Sequence, residues 1–355
     1  MKKYSFLSLL ILAACSQQAP QNEETTESQN ETSAELYQVK ATAETEAVSA
    51  DPEDDAADDP ALWYNEADPA KSLVLGSDKT NGVDVFDLLG NRLNTHRVGR
   101  INNIDLRQTP ELDLVGGSHR DSIGMDFWMV DADSLTLRYI GHVSSNLPDV
   151  YGFCMYQSPE TKSLYAFVNS KTGRVEQWKL EASANSVSGE LVRELKLPAQ
   201  VEGMVADDSL GMVFVGVEED GIYRFGAEPE DSTEGERIAQ SGQENAAIQY
   251  DVEGLTLFYK DGNDGYLIAS SQGNNTFALF ERTSPHSYLG SFEIVDGEVD
   301  GAQETDGIDV SYRSFGPQYP EGIFVVQDGF NYEGEEKVAQ NFKMVSWEEI
   351  VEGFK

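Results

Sequence analysis

Acidic and polar residues recur at intervals of about 50 residues along the chain, in short segments of similar shape. The recurrence is clearest in Tyr151-Gly152-Phe153, Glu202-Gly203-Met204, Glu253-Gly254-Leu255 and Asp306-Gly307-Ile308. Similar steps toward the N-terminus reach Asn103-Ile104-Asp105 and Asp59-Pro60-Ala61. If each segment opens one repeat, the first residues of the six repeats form one ring: Asp59, Asn103, Tyr151, Glu202, Glu253 and Asp306.

A second set of polar residues follows one strand later in each repeat: Lys79, Arg120, Lys171, Glu218, Gln272 and Asp328. The first three are basic and the last three are acidic or amide. Crowded carboxylates repel one another, so they take up protons or bind a cation. Oxygen ligands from Asp, Glu, Gln and the backbone suit Ca²⁺, whereas the four histidines show no zinc spacing.

Basic side chains facing bound cations would form a pocket for a highly anionic ligand, and phosphate fits best. Metal ions activate water for attack on such an ester, so the residues indicate metal-assisted phosphoester hydrolysis. A second interpretation stays open, in which the same Ca²⁺ ions only hold the fold together.

Short β runs separated by turn residues must position these side chains. One hairpin is predicted at residues 72–88, another at 163–180 and a third at 265–282, and a short helix at 347–352. Six repeats of short antiparallel strands predict an all-β, six-bladed β-propeller, in which the innermost strands surround a central channel. A solenoid is the alternative fold.

The formal charge of -38 argues against nucleic acid or anionic lipid as a partner. Lys2 and Lys3 precede an apolar run that ends at Leu12-Ala13-Ala14-Cys15, a pattern typical of bacterial lipoproteins. We therefore predict a signal peptide at residues 1–14, lipidation of Cys15, a disordered tether over 15–50 and the propeller over 51–355. Ser16 after the cysteine favours the outer membrane.

Several longer strings resemble one family, the β-propeller phytases, which are the calcium-dependent alkaline phytases of bacteria. They are DDAADDPALWYN, GRINNIDLR, DVYGFCMYQS, VEGMVADD, DVEGLTLFY, ASSQGNNTFALFER, TDGIDV and QNFKMVSWEEI. The resemblance extends over roughly residues 50–352. It implies a 3-phytase that removes phosphate from phytate (myo-inositol hexakisphosphate) by attack of a Ca²⁺-activated water, with both catalytic and structural Ca²⁺ ions.

The resemblance also implies roles for individual residues. The channel-mouth Ca²⁺ ligands would be Asp58, Glu202, Glu218, Glu253 and Asp306, and the last four would orient the attacking water. A tighter site would use Asp59 with the backbone carbonyls of Pro60 and Ile104, and another would use Asp251, Glu253 and Gln272. A structural ion would lie at Asp300, Asp328 and Asn331. The substrate phosphates would bind Lys79, Arg120, Tyr151 and Lys171.

Two other functions stay open on the residues alone. A propeller lactonase or esterase would use one metal and an apolar pocket, and a non-catalytic surface propeller would bind a partner or sugar. Neither explains the three basic residues. We expect a monomer that meets the membrane only through its lipid.

Overall fold

Six sheets, each built on four antiparallel strands, follow one another along the chain and close into a ring. The structure, a computed structural model, describes residues 36–354. The innermost strand of each sheet contacts the innermost strands of the sheets before and after it, and the last contacts the first. The predicted six-bladed β-propeller is therefore confirmed.

Two short strands precede the blades: β1 (Tyr37–Lys40) and β2 (Ala43–Glu44). Blade 1 contains β3 (Ala57–Trp63), β4 (Leu73–Asp78), β5 (Gly82–Phe86) and β6 (Arg92–Arg97). Blade 2 contains β7 (Ile101–Gln108), β8 (Asp113–His119), β9 (Gly124–Asp131) and β10 (Thr136–Ser144). Blade 3 contains β11 (Phe153–Gln157), β12 (Leu164–Asn169), β13 (Arg174–Ser183) and β14 (Ser186–Lys196).

Blade 4 contains β15 (Val201–Asp207), β16 (Met212–Val217), β17 (Gly221–Gly226) and β18 (Glu236–Arg237). Blade 5 contains β19 (Val252–Tyr259), β20 (Gly265–Ser271), β21 (Thr276–Glu281) and β22 (Tyr288–Val295). Blade 6 contains β23 (Ile308–Ser311), β24 (Ile323–Asp328) and β27 (Asn341–Ser346), with a hairpin of β25 (Tyr332–Glu333) and β26 (Glu336–Lys337) between the last two. A helix, α1 (Trp347–Glu352), follows, and two 3₁₀ turns lie at Pro69–Lys71 and Gln272–Asn274.

The hydrophobic core lies between neighbouring blades. Each of the six apolar clusters in residues 36–354 joins residues of two adjacent blades, so the sheets pack face to face around the whole ring. Every residue of β3 is buried, whereas β14 alternates between exposed and more buried positions. The inner strands are therefore covered on both faces, while the outer strands keep one face in water.

The N-terminal strands complete two of the blades. β2 pairs with β27 as the outermost strand of blade 6, and β1 pairs in parallel with β22 of blade 5. Val48 is also buried, and its N–H donates to the Gln340 carbonyl at 2.9 Å. The prediction of a disordered tether up to residue 50 is therefore wrong for residues 37–50, because their backbone groups pair with strands far along the chain.

The predicted hairpins and the C-terminal helix match β4–β5, β12–β13, β20–β21 and α1. The signal peptide, Cys15 and the tether up to residue 35 lie outside the described residues. Among residues 36–354, no helix is long and apolar enough to cross a membrane.

Candidate metal and phosphate site at the channel mouth

A bulge at the start of the innermost strands defines the ring at the channel mouth. In β3, β7, β15 and β19 the pairing register shifts by one residue, after Ala57, Ile101, Val201 and Val252 respectively. Aligning these bulges makes Asp58, Asn102, Glu202 and Glu253 equivalent, and Tyr151 and Asp306 complete the ring. The predicted ring is therefore wrong by one residue in blades 1 and 2, where Asp58 and Asn102 take the places given to Asp59 and Asn103.

A glycine directly after the ring residue explains why the sequence predicted the ring position correctly in blades 3–6. Gly152, Gly203, Gly254 and Gly307 follow the ring residues of blades 3–6. A Cβ atom on Gly203 would lie 2.0 Å from the Glu253 carbonyl oxygen of the next blade, so this position has no room for a side chain. Blades 1 and 2 carry Asp59 and Asn103 at the equivalent position. Because the glycine is absent there, the sequence does not indicate which residue belongs to the ring.

Buried carboxylates crowd one part of this ring. Oxygens of Glu202, Glu218 and Glu253 lie within 4.8 Å of one another. Burial, and then the neighbouring Glu202 and Asp306 carboxylates, raise the pKa of Glu253 well above its usual range. Burial also raises the pKa of Glu218 to about 7, although Gln200 Nε2 donates to Glu218 Oε1 at 2.8 Å. Ionised carboxylates this close require a cation or protons.

Lys79 lies inside the acidic part of the ring. Its ammonium is 2.6 Å from Asp55 Oδ1, 3.1 Å from Asp58 Oδ2 and 2.9 Å from Asp306 Oδ2. The Lys79 side chain is only 8% exposed. Three carboxylates therefore share this charge, and the ammonium neutralises part of the acidic ring before any ligand arrives.

Arg120, Tyr151 and Lys171 form the basic part of the mouth. The Lys171 ammonium lies 4.0 Å from the centre of the Tyr151 ring, and the Arg120 guanidinium carbon lies 5.7 Å from it. Both cations are therefore close enough to the Tyr151 ring for cation–π attraction. Burial and the Glu202 and Glu253 carboxylates raise the pKa of the Tyr151 phenol, which stays protonated and can donate a hydrogen bond.

The acidic part of the mouth fits a divalent cation. Its donors are all oxygens, which hard cations prefer. Among the described residues no hydrogen-bond donor reaches Glu253 Oε2 or Asp58 Oδ1, although both atoms are buried. Unpaired buried carboxylate oxygens are costly, so a cation would supply the missing interactions.

Asp59 lies just inside the channel, next to the ring. Its Oδ2 accepts a hydrogen bond from Ile104 N at 3.0 Å, and burial and the Asp58 carboxylate raise the Asp59 pKa well above its usual range. Asp59, Pro60 and Ile104 line one continuous cavity of about 350 Å³ in the channel. The structure thus brings together the residues predicted for the tighter cation site.

Gln272 also reaches the mouth, through a 2.7 Å hydrogen bond from its Nε2 to Asp306 Oδ1. The Gln272 backbone N–H donates to the Asp251 carbonyl at 3.0 Å. The Asp251 carboxylate is partly exposed and raises the pKa of Glu218, so it lies near the edge of the carboxylate cluster.

Asp300, Asp328 and Asn331 come together elsewhere, around Lys343. The Lys343 ammonium contacts Asp300 Oδ1 and lies 3.2 Å from Asp328 Oδ2, 3.1 Å from Asn331 Oδ1 and 2.6 Å from Glu44 Oε2. Its side chain is fully buried. The predicted structural-ion residues therefore already surround one cation of the chain, and Asp328 belongs to this group and not to the mouth.

Sequence reasoning missed Asn102, Asp55 and Lys343. Asn102 was hidden by the register error, although it is the first of two adjacent asparagines in GRINNIDLR. Asp55 stands three residues before Asp58, yet only the fold shows that it reaches Lys79. Lys343 had no local signal, because its partners are distant in the sequence.

Comparisons with known proteins show which sequences and structures the chain is similar to. A family model described as Phytase matches residues 5–355. The chain is 40% identical over 331 residues to the 3-phytase of Bacillus subtilis (strain 168), an alignment that covers 90% of this chain and 86% of that protein. Among solved structures, a β-propeller domain from Myceliophteria thermophila is 11% identical, with a TM-score of 0.46 and coverage of 81% of this chain and 83% of that one. A functionally unknown protein from Desulfotomaculum acetoxidans is 12% identical, with a TM-score of 0.46 and coverage of 65% and 70%.

Proposed function

The chain belongs to the phytase family, and we propose that it removes phosphate from phytate with the help of Ca²⁺ ions held by the channel-mouth carboxylates. The observation that supports the calcium requirement is the buried group Glu202, Glu218 and Glu253, whose oxygens lie within 4.8 Å of one another. Oxygen donors of this kind and charge favour Ca²⁺ over zinc or copper.

The basic residues at the mouth would bind the substrate phosphates. Arg120 offers a planar guanidinium suited to two phosphate oxygens, and Lys171 adds a point charge beside the same Tyr151 ring. The protonated Tyr151 hydroxyl would donate to a phosphate oxygen. Lys79 is already shared by three carboxylates, so its contact with phosphate would require one of them to release it.

The carboxylates would hold the cation and orient water. Carboxylate oxygens of Glu202 and Glu253 lie within 4.8 Å of each other, and Asp58 and Asp306 complete the acidic part beside Lys79. When bound, a cation at such a site polarises a phosphoryl oxygen and lowers the pKa of water. The chain's own residues fix the distance between this acidic part and the phosphate-binding residues.

Phosphate release from phytate by the chain from residue 36 tests the proposal. We expect release between pH 6 and 9 with saturating Ca²⁺ and little release with EDTA. Equal release with EDTA would remove the calcium requirement while keeping the phytase activity. No release under any of these conditions would contradict the function itself.

We further propose that Cys15 is lipidated and carries the propeller on the outer membrane. The support is the Leu12-Ala13-Ala14-Cys15 pattern after an apolar run. Mass spectrometry of the N-terminus and membrane fractionation of wild type and Cys15→Ser test this, since the variant should leave the membrane fraction.

We also propose that the protein is a monomer, which sedimentation of the chain from residue 36 checks.

A further inference from the structure

One ring residue differs in chemistry from its neighbours. Asn102 is the amide member of a ring whose other members are four carboxylic acids and Tyr151. Its side chain is fully buried. It lies where the basic and acidic parts of the mouth meet, because Arg120 approaches from one side and Glu202 from the other.

The Asn102 amide is hydrogen-bonded at both ends. Its Oδ1 accepts from Arg120 Nη1 at 3.1 Å, and its Nδ2 donates to Glu202 Oε1 at 2.7 Å and to Asn103 Oδ1 at 3.0 Å. The opposite orientation of the amide would place NH₂ against a guanidinium and oxygen against a carboxylate. The two charged partners therefore fix the amide orientation.

The chemistry of the two partners explains why an amide is suitable here. Arg120 can only donate hydrogen bonds, and Glu202, when ionised, can only accept them. A direct ion pair between them would neutralise the guanidinium needed for phosphate and the carboxylate needed for a cation. A neutral group that accepts on one side and donates on the other keeps both charges available at a fixed separation.

We propose that Asn102 is a positioning residue that holds Arg120 toward the substrate phosphate and Glu202 toward the cation. The inference rests on the proposed function. It assigns to Asn102 an indirect role, since the amide acts through Arg120 on one ligand and through Glu202 on the other.

Two substitutions at Asn102 distinguish its contact with Arg120 from its contact with Glu202, because we expect them to change Ca²⁺ affinity in opposite directions. Asn102→Ala removes the hydrogen bonds to both Arg120 and Glu202, so the KM for phytate should rise about 10- to 100-fold and Ca²⁺ affinity should fall. Asn102→Asp places a carboxylate between the partners. It should also raise KM, because it neutralises Arg120, but it should tighten Ca²⁺ binding, because it adds negative charge beside Glu202. Phytate KM is measured at saturating Ca²⁺, and Ca²⁺ affinity by calorimetry at pH 8 without phytate.

Gln177→Leu is the matched control for loss of a buried amide. Gln177 is also fully buried, and its Nε2 donates to the Ala227 carbonyl at 2.7 Å, in contact with neither Arg120 nor Glu202. We expect it to lower the melting temperature without changing KM or Ca²⁺ affinity. If Asn102→Ala and Asn102→Asp behave in the same way as this control, Asn102 is only structural and the proposal is wrong.

A double-mutant cycle tests the path through Arg120. The KM increase caused by Asn102→Ala should disappear in an Arg120→Ala background, because the amide would have no guanidinium left to position. An additive increase would contradict the proposal. If the wild-type chain itself releases no phosphate or needs no Ca²⁺, the proposed function is wrong. This result is distinct from a failure of the Asn102 proposal, because it does not depend on the variants.

Discussion

Glu202 combines the contacts on which the mouth depends, since it faces Asn102, Glu218 and Glu253. Glu202→Gln keeps an oxygen that can accept from Asn102 and removes one negative charge from a crowded group. We expect phosphate release to fall at least about 100-fold, because a cation ligand is lost. The metal-free melting temperature should stay the same or rise, since repulsion is relieved.

Phosphate-release assays and thermal unfolding in EDTA check this prediction. Glu244→Gln serves as a control carboxylate, because Glu244 pairs with Arg237 and lies outside the ring. Full activity of Glu202→Gln would show that the ring does not hold the catalytic cation.

Glu218 provides a pH prediction. Its folded pKa of about 7 lies above the usual unfolded value of roughly 4.3, so folding takes up a proton between these values. A raised carboxyl pKa contributes stability that is complete below about 4.3 and is lost as pH rises through about 7. In EDTA, Glu218→Gln should therefore raise the melting temperature at pH 8 relative to wild type and change it little at pH 4.

Thermal unfolding of both proteins at the two pH values measures the difference. The Gln200 bond to Oε1 can persist in the variant, so the comparison isolates the charge. A larger effect at pH 4 than at pH 8 would reverse the sign and contradict the assignment.

Residue identities at the mouth were largely predictable from the sequence, but their register was not. The glycine after the ring residue marks the position in blades 3–6, where the approach of a neighbouring carbonyl excludes a side chain. Asp59 and Asn103 replace that glycine in blades 1 and 2, so a one-residue slip in the bulge had no local signal. The ion pair between Lys79 and Asp55 was likewise not predictable from the sequence, because the two residues come together only in the closed ring.

At the scale of elements, Lys343 on β27 connects blade 6 to the N-terminal strand β2 through Glu44. Lys343→Met would leave Glu44, Asp300 and Asp328 without their common cation in a buried site. We expect a loss of about 3–5 kcal/mol in the free energy of unfolding. Added Ca²⁺ should restore part of this loss if the three carboxylates can accept it.

Lys337→Met is the matched control, because Lys337 forms an exposed ion pair with Glu53. Its effect should stay within about 1 kcal/mol. Denaturant unfolding of both variants measures the difference, and equal losses would show that the Lys343 group contributes no more than a surface pair.

Hairpins were the elements best predicted from sequence. Residues 73–86 and 265–281 form local antiparallel pairs whose turns carry glycine or asparagine, so pattern and pairing lie within one segment. β1 and β2 were missed, because their sequences are short and polar and their partners lie in blades 5 and 6. Pairing over such a distance depends on the closed ring, which local pattern does not encode.

At the scale of the whole molecule, the N-terminal strands decide where the folded unit begins. A chain starting at residue 51 would lose β1, β2 and the buried Val48, and would expose the edge of β27. We expect a clearly lower melting temperature than that of the chain starting at residue 36, with or without Ca²⁺. An unchanged melting temperature would show that the blades close without this outer pairing.

The order of translation determines how long β2 remains without its pairing partner β27 in blade 6. Glu44 and Lys343 are separated by 299 positions, and the ribosome must add all of them before the contact can form. At roughly 5–20 residues per second, this takes about 15–60 s. Blades 1–5 can therefore assemble on the nascent chain while β2 has no partner, and β2 can complete blade 6 only after β27 has been synthesised.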